Sequence, residues 1–191
     1  MNTKRIKSAV ERAVQQASFS LRQDVHRLLR RAYLQEHNKK AKKALGWILE
    51  NAKVAQSQKL ALCQDTGLPI VFIEIGRDTK FSSSLLKAVK QGVEDGYRKN
   101  YLRASSVDPF KRTNPSYRGL IHHIDFSPKP DELTITVFPK GFGSENKSQL
   151  KMFNPTASRD EIEEFIVEAA KHAGAESCPH FVVGLGIRRF L

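Results

Sequence analysis

The chain has 191 residues, of which 40% are hydrophobic and 27% charged, and its formal net charge is +12 at pH 7. This length allows one well-cored domain, or a helical segment followed by one domain. No apolar run approaches the roughly 20 residues that a membrane-spanning helix needs, and the basic N-terminus lacks the apolar core of a secretory signal. Two cysteines without other signs of secretion favour a reducing compartment. We therefore expect a globular cytoplasmic protein that does not associate with membranes.

Most of the positive charge lies in residues 1–43. Twelve Lys or Arg residues stand there against three acidic residues, so this block carries nine of the twelve net charges. Such a block is compatible with nucleic-acid binding, with a solvated helical face, or with a positive field that attracts an anionic substrate. Aromatic residues are not interleaved with the cations as a stacking surface for single strands requires. Nucleic acid is therefore not the expected partner.

Three amphipathic helices are predicted in the N-terminal quarter, which we assign as a basic helical segment, residues 1–58. Apolar residues at spacings of three and four indicate the first helix over residues 6–17. Ser20 and Gln23 match a capping box that would begin the second. A third is predicted from residue 41 to about residue 56, with Trp47 as a packing anchor. We assign no chemistry to these helices.

Residues 59–191 form the second predicted segment, in which short apolar runs alternate with helices. The turn-rich link over residues 127–132 predicts that the strands on either side of it pair with each other in antiparallel fashion. Ser158 and Glu161 match a capping box that begins a helix ending at Gly174. The fold class is therefore mixed α/β (α+β), with the amphipathic helices first and one structural domain overall. The predicted strands cover residues 70–75, 120–126, 133–138 and 181–185, and a further helix covers residues 84–99.

The two cysteines, Cys63 and Cys178, each begin a turn, because Gly67 and Pro69 follow the first and Pro179 follows the second. A thiolate at such a place can reach a metal while nearby backbone N–H groups point to the same spot. The alternative is a pair of buried core thiols, since unpaired cysteine is among the most buried residue types.

Four short motifs accompany these cysteines. They are Leu62-Cys63-Gln64-Asp65-Thr66-Gly67, Tyr101-Leu102-Arg103-Ala104-Ser105, Lys140-Gly141-Phe142-Gly143-Ser144-Glu145-Asn146 and Cys178-Pro179-His180. Together, and in this order, these motifs resemble the alpha-type half of class I fumarases and L-tartrate dehydratases, the iron–sulfur hydro-lyases, over about two thirds of the chain.

The resemblance implies a [4Fe–4S] cluster that three cysteines hold and that leaves one iron open to a dicarboxylate substrate. Cys63 and Cys178 would be two of the ligands. Gln64 and Asp65 would hold the substrate, although an Asp-stabilised turn is the alternative for that segment. Arg103 would bind a substrate carboxylate through paired hydrogen bonds. The backbone at Gly143 would contact the substrate, in a loop that is otherwise a plain turn or an anion cradle.

The chain also departs from the family pattern. The family's third cysteine has no counterpart in this sequence, and the expected glycine-rich stretch breaks into Arg188-Arg189-Phe190-Leu191. We therefore expect a truncated subunit that is inactive by itself. Its partner would be a beta-type subunit that supplies the catalytic base. We also expect the protein to form an oligomer. The rival hypotheses are a degenerate, non-catalytic interaction protein that keeps the fold without the cluster and, third, a basic nucleic-acid-binding protein.

Overall fold

The computed structural model describes residues 2–118, 120–177 and 181–187, with only the backbone described at residues 120–122. The chain divides into two compact units, residues 1–140 and residues 141–191. Both units contain helices, and the first contains a sheet, so the predicted mixed α/β class is confirmed. The boundary predicted after residue 58 falls inside the first unit. No helix among the described residues is long and apolar enough to cross a membrane.

Three helices open the first unit, as predicted: α1 (Thr3–Phe19), α2 (Gln23–Gln35) and α3 (Lys39–Gln58). The predicted capping box at Ser20 and Gln23 is wrong. Ser20 is instead the C-cap of α1 and has an extended conformation. Helix α2 begins at Gln23, and its N-cap residue is Arg22, whose side chain forms no cap hydrogen bond. Gln23 is therefore the first residue of the helix and not the third, which a capping box requires.

Trp47 is not the packing anchor that the sequence predicted. Its side chain is 64% exposed, and α3 instead buries the small residues Ala52 and Ala55. The Lys43 ammonium lies 5.0 Å from the centre of the Trp47 ring, at a distance typical of a cation–π contact. The indole therefore packs against a lysine of its own helix, because it lies on the helix face that points away from the core.

The sheet contains three strands, β1 (Leu68–Gly76), β2 (Leu120–Ser127) and β3 (Leu133–Lys140), in the order β2-β1-β3. All three were predicted, but the direct pairing of β2 with β3 is wrong. β1 lies between them and pairs in parallel with β2 and in antiparallel fashion with β3. The link over residues 127–132 crosses the end of β1, where the amide of Gly76 donates to Glu132 and the amide of Arg77 donates to Ser127. The most apolar strand thus occupies the centre of the sheet.

Helix α4 (Ser83–Lys99) completes the first unit and packs against α1. Gly92 and Gly96 allow the two helices to approach closely, since a Cβ at either position would come within 2.8 Å of a valine of α1. The ion pairs Lys7–Asp95 and Glu11–Lys99 show that the two helices run in the same direction. The buried core formed by α1, β1, α4 and the segment after α4 contains Ile6, Val10, Val14, Phe19, Val71, Ile73, Ile75, Leu85, Ala88, Val89, Val93, Tyr97 and Leu102.

The second unit contains helix α5 (Arg159–Ala173) between two short 3-10 turns at Glu145–Lys147 and Gly174–Ser177. The predicted capping box of Ser158 and Glu161 is confirmed, and so is the end of the helix at Gly174, which has a φ of 46°. The strand predicted over residues 181–185 is wrong, because residues 181–187 adopt no regular structure. A β-branched run becomes a strand only when a neighbour pairs with it, and no strand of the described residues does so.

Candidate functional site

The turn Cys63–Gly67 lies at the end of the sheet where β1 begins and β3 ends. Leu68, the first residue of β1, pairs with Lys140, the last residue of β3. Gly67 has a φ of 72°, in the left-handed region that favours glycine. The turn therefore stands beside the start of the Lys140–Asn146 motif, and the sheet register fixes that neighbourhood.

Cys63 carries a free, exposed thiol, so the alternative of a buried core cysteine is excluded at this position. Gln64 and Asp65, which follow it, are also exposed. One carboxylate oxygen of Asp65 accepts a hydrogen bond of 3.0 Å from the Gly67 amide. The Asp-stabilised turn is thus formed, and the aspartate contributes to the shape of the turn whatever else it binds.

Tyr97 of α4 holds the far end of this turn. Its side chain is fully buried, and its hydroxyl donates to the carbonyl oxygens of Thr66 at 3.0 Å and Gly67 at 3.3 Å. Burial raises the pKa of the Tyr97 phenol above its usual value, and the negative charge of Asp65 raises it further. The phenol therefore stays protonated and remains a hydrogen-bond donor at neutral pH.

Arg103 is brought to the same turn through its backbone. Its amide donates to the hydroxyl oxygen of Thr66 at 2.9 Å. The Arg103 side chain is exposed, and within the described part of the chain its guanidinium forms no ion pair. Of the predicted site residues, Cys63, Gln64, Asp65 and Arg103 thus belong to two segments that are joined directly by a hydrogen bond.

The other two predicted site residues, Gly143 and Cys178, belong to neither of these two segments. Gly143 belongs to the second unit, in a turn where the Glu145 amide donates to Phe142 and the Lys147 amide donates to Ser144. Those amides are engaged within the turn itself. Cys178 lies outside the described residues, and so does its neighbour His180.

The described residues contain no group of three or more His, Cys, Asp or Glu side chains that could hold a metal ion. A single thiol such as that of Cys63 suits iron as one soft ligand of a shared site. Since the sequence contains only two cysteines, a cluster with three thiolate ligands would require a third ligand from elsewhere. Of these two thiols, the structure describes that of Cys63, which fits one ligand position of such a site.

Sequence reasoning missed Tyr97 and the side-chain role of Thr66. Tyr97 falls on the apolar face of the predicted helix over residues 84–99, so its spacing predicts packing alone. Thr66 belongs to the first motif, but no sequence pattern links it to Arg103, which lies 37 positions later. No local signal in the sequence predicts either contact.

Comparison with known proteins agrees with the sequence resemblance. A profile of the fumarate hydratase (fumerase) family matches residues 7–189. Because this match covers nearly the whole chain, the chain belongs to that family, which is a family of hydro-lyases.

Two relatives are named as alpha subunits of L(+)-tartrate dehydratase. The chain is 37% identical over 190 residues to a protein of Methanocaldococcus jannaschii that carries this name provisionally, covering 96% of this chain and 67% of the relative. It is 26% identical over 144 residues to the Escherichia coli K12 subunit, covering 73% of this chain and 48% of the relative. The chain therefore spans about half to two thirds of the length of these relatives.

Proposed function

We propose that this chain is the alpha-type part of an iron–sulfur hydro-lyase that adds water reversibly to fumarate or removes it from tartrate. The observation that carries the proposal is the turn Cys63–Gly67, which presents an exposed free thiol and is hydrogen-bonded to the segment of Arg103. A soft ligand suits a metal centre, and an exposed guanidinium that forms no ion pair among the described residues suits a carboxylate substrate.

In this proposal Cys63 and Cys178 bind a [4Fe–4S] cluster together with a third ligand that is not a cysteine of this sequence. When bound, the cluster supplies an open iron that acts as a Lewis acid on the substrate hydroxyl. The assignment of Cys178 rests on the family motif, because that residue lies outside the described part of the chain.

Arg103 would grip a substrate carboxylate with two parallel N–H donors, which a dicarboxylate anion matches in shape and charge. Gln64 would add an amide donor from the same turn, and Asp65 would accept a hydrogen bond from the substrate hydroxyl. By the family resemblance, the Gly143 backbone would also contact the substrate. The cations of residues 1–43 would increase the local concentration of the anionic substrate through their positive field.

A proton acceptor for the reaction is assigned to a partner. No residue at the Cys63–Gly67 turn is a histidine or lysine base, and both relatives are named as subunits alpha. We therefore infer that a beta-type subunit completes the active site and supplies the base.

The test is iron and sulfide analysis after anaerobic reconstitution, with and without a beta-type subunit of the family. We expect the wild-type complex to retain a cluster and to hydrate fumarate or dehydrate tartrate. Cys63→Ser should lose most of the iron, because the hydroxyl is a poor ligand for this metal. Gln64→Ala, in the same turn, is the matched control and should keep its iron but show a higher KM for the dicarboxylate.

Two results would contradict the proposal. Retention of the full iron content by Cys63→Ser would remove Cys63 from the ligand set. A wild-type complex that holds no iron under these conditions would instead favour the rival hypothesis of a non-catalytic subunit that keeps the fold without the cluster.

A further inference from the structure

We propose that Tyr97 is a positioning residue for the Cys63–Gly67 turn and that Thr66 links this turn to Arg103. This inference rests on the proposed function, since it assigns a purpose to the alignment of a metal ligand with a carboxylate-binding arginine. Neither residue would contact the iron or the substrate, and both would act through the residues beside them.

The Tyr97 side chain forms the first link. Its ring belongs to the buried core, and its single hydroxyl proton is shared between two successive carbonyl oxygens of the turn, at 3.0 Å for Thr66 and 3.3 Å for Gly67. A buried carbonyl group that loses its donor carries the cost of desolvation without compensation. The hydroxyl therefore favours one position of the turn over others.

The Tyr97 backbone forms the second link. Its carbonyl oxygen accepts a hydrogen bond of 3.0 Å from the amide of Leu102, the buried residue that directly precedes Arg103. The same residue thus fixes the segment that leads into Arg103 with its backbone and the segment that follows Cys63 with its side chain.

Thr66 forms the third link, because it is hydrogen-bonded to both Tyr97 and Arg103. Its hydroxyl oxygen accepts the Arg103 amide at 2.9 Å, while its carbonyl oxygen accepts the Tyr97 hydroxyl. Three hydrogen bonds among Tyr97, Thr66 and the Leu102–Arg103 segment therefore set the spacing between the thiol turn and the arginine.

Close packing of α4 against α1 fixes the position of Tyr97, from which these hydrogen bonds extend. Gly96, the residue before Tyr97, lies so close to Val14 of α1 that a Cβ would come within 2.8 Å of the Val14 side chain. Because the packed helices leave Tyr97 little freedom to shift, its hydroxyl is a fixed reference point for the more exposed turn.

The experiment uses the alpha chain reconstituted with its beta-type partner. Tyr97→Phe removes only the hydroxyl and keeps the ring in the core, and Val93→Ala is its matched control. Val93 is buried and lies four residues before Tyr97 on α4. Its apolar side chain cannot form a hydrogen bond with the Cys63–Gly67 turn. We expect Tyr97→Phe to lose iron to a ferrous chelator about tenfold faster than wild type, with Val93→Ala within twofold of wild type. Equal rates for the two variants would overturn the assignment of Tyr97.

The link through Thr66 is tested by a conservative pair. Thr66→Val removes the oxygen that accepts the Arg103 amide, whereas Thr66→Ser keeps it. We expect Thr66→Val to raise the KM for the dicarboxylate about fivefold with kcat within twofold, and Thr66→Ser to restore the wild-type KM. A Thr66→Ser variant as impaired as Thr66→Val would show that the hydroxyl does not carry the link.

Amide hydrogen exchange of residues 62–67 in the metal-free chain distinguishes failure of this inference from failure of the proposed function. If wild type holds no iron, the proposed function fails, but about tenfold faster exchange in Tyr97→Phe than in Val93→Ala would still support the positioning of the turn. Equal exchange in the two variants would overturn it.

Discussion

Gly67 lies against the backbone of Lys140, so closely that a Cβ at residue 67 would come within 2.8 Å of the Lys140 amide nitrogen and carbonyl carbon. The next residue, Leu68, is the β-sheet partner of Lys140. The shape of the thiol turn and the pairing of β1 with β3 are therefore parts of one arrangement. A side chain at residue 67 would disturb both.

Replacement of Gly67 by alanine should lower the free energy of unfolding of the chain by about 2–3 kcal/mol. Two causes combine, because alanine is strained at a φ of 72° and its Cβ would meet backbone atoms that cannot rotate away. Urea denaturation followed by circular dichroism measures the change. Gly46→Ala is the control, since Gly46 is inside α3 with only the Tyr33 ring nearby, and it should stabilise the chain by up to about 1 kcal/mol. Equal stabilities of the two variants would contradict this account of the turn.

The close packing of α1 on α4 gives a second prediction. Gly92→Ala should destabilise the chain by about 1–3 kcal/mol, because the new methyl group would meet the Lys7 carbonyl oxygen at 2.7 Å and the Val10 Cβ at 2.8 Å. Gln91→Ala, at the exposed neighbouring position, should change the stability by less than about 0.5 kcal/mol. Thermal unfolding of both variants checks the prediction, and a stabilised Gly92→Ala would show that the helices are further apart.

Tyr97 gives a prediction on pH. Because the pKa of its phenol is raised in the folded chain, the unfolded chain releases this proton first when the pH rises above about 10. At neutral pH wild type should be more stable than Tyr97→Phe by about 1–2 kcal/mol, since it keeps the buried hydrogen bonds. Above pH 10 this difference should shrink by up to about 1.4 kcal/mol per pH unit. Urea titrations of both proteins from pH 8 to pH 11 measure it, and a constant difference would contradict the burial of a protonated phenol.

The sequence predicted the elements of this fold better than their arrangement. The apolar run 70–75 and the capping box at Ser158 are local signals, and each produced the expected element. The order of the strands depends on which strand pairs along both of its edges, and the short link 127–132 alone suggested the wrong pairing. Trp47 was misassigned because its size predicts burial while its position on α3 decides exposure.

At the candidate site, too, local sequence signals were informative and long-range contacts were not predictable. The motifs predict roles for Cys63 and Arg103, because residue type and family resemblance are both visible in the sequence. The contacts that bring these two segments together were not predictable, because they join Thr66 to residues 31 and 37 positions away. The predicted roles of all six site residues stay predictions: Cys63, Gln64, Asp65, Arg103, Gly143 and Cys178.

The central claim is that Cys63 and Cys178 bind one cluster, and cross-linking with a short bifunctional thiol reagent tests it most directly. The chain contains no other cysteine, so any intrachain cross-link must join these two residues. After removal of the metal from the anaerobically prepared complex, we expect mass spectrometry of the digested chain to find the Cys63 and Cys178 peptides joined by the reagent. Bound iron should protect both thiols from it. Single modification of each cysteine without a cross-link, at the same rate with and without iron, would contradict the claim.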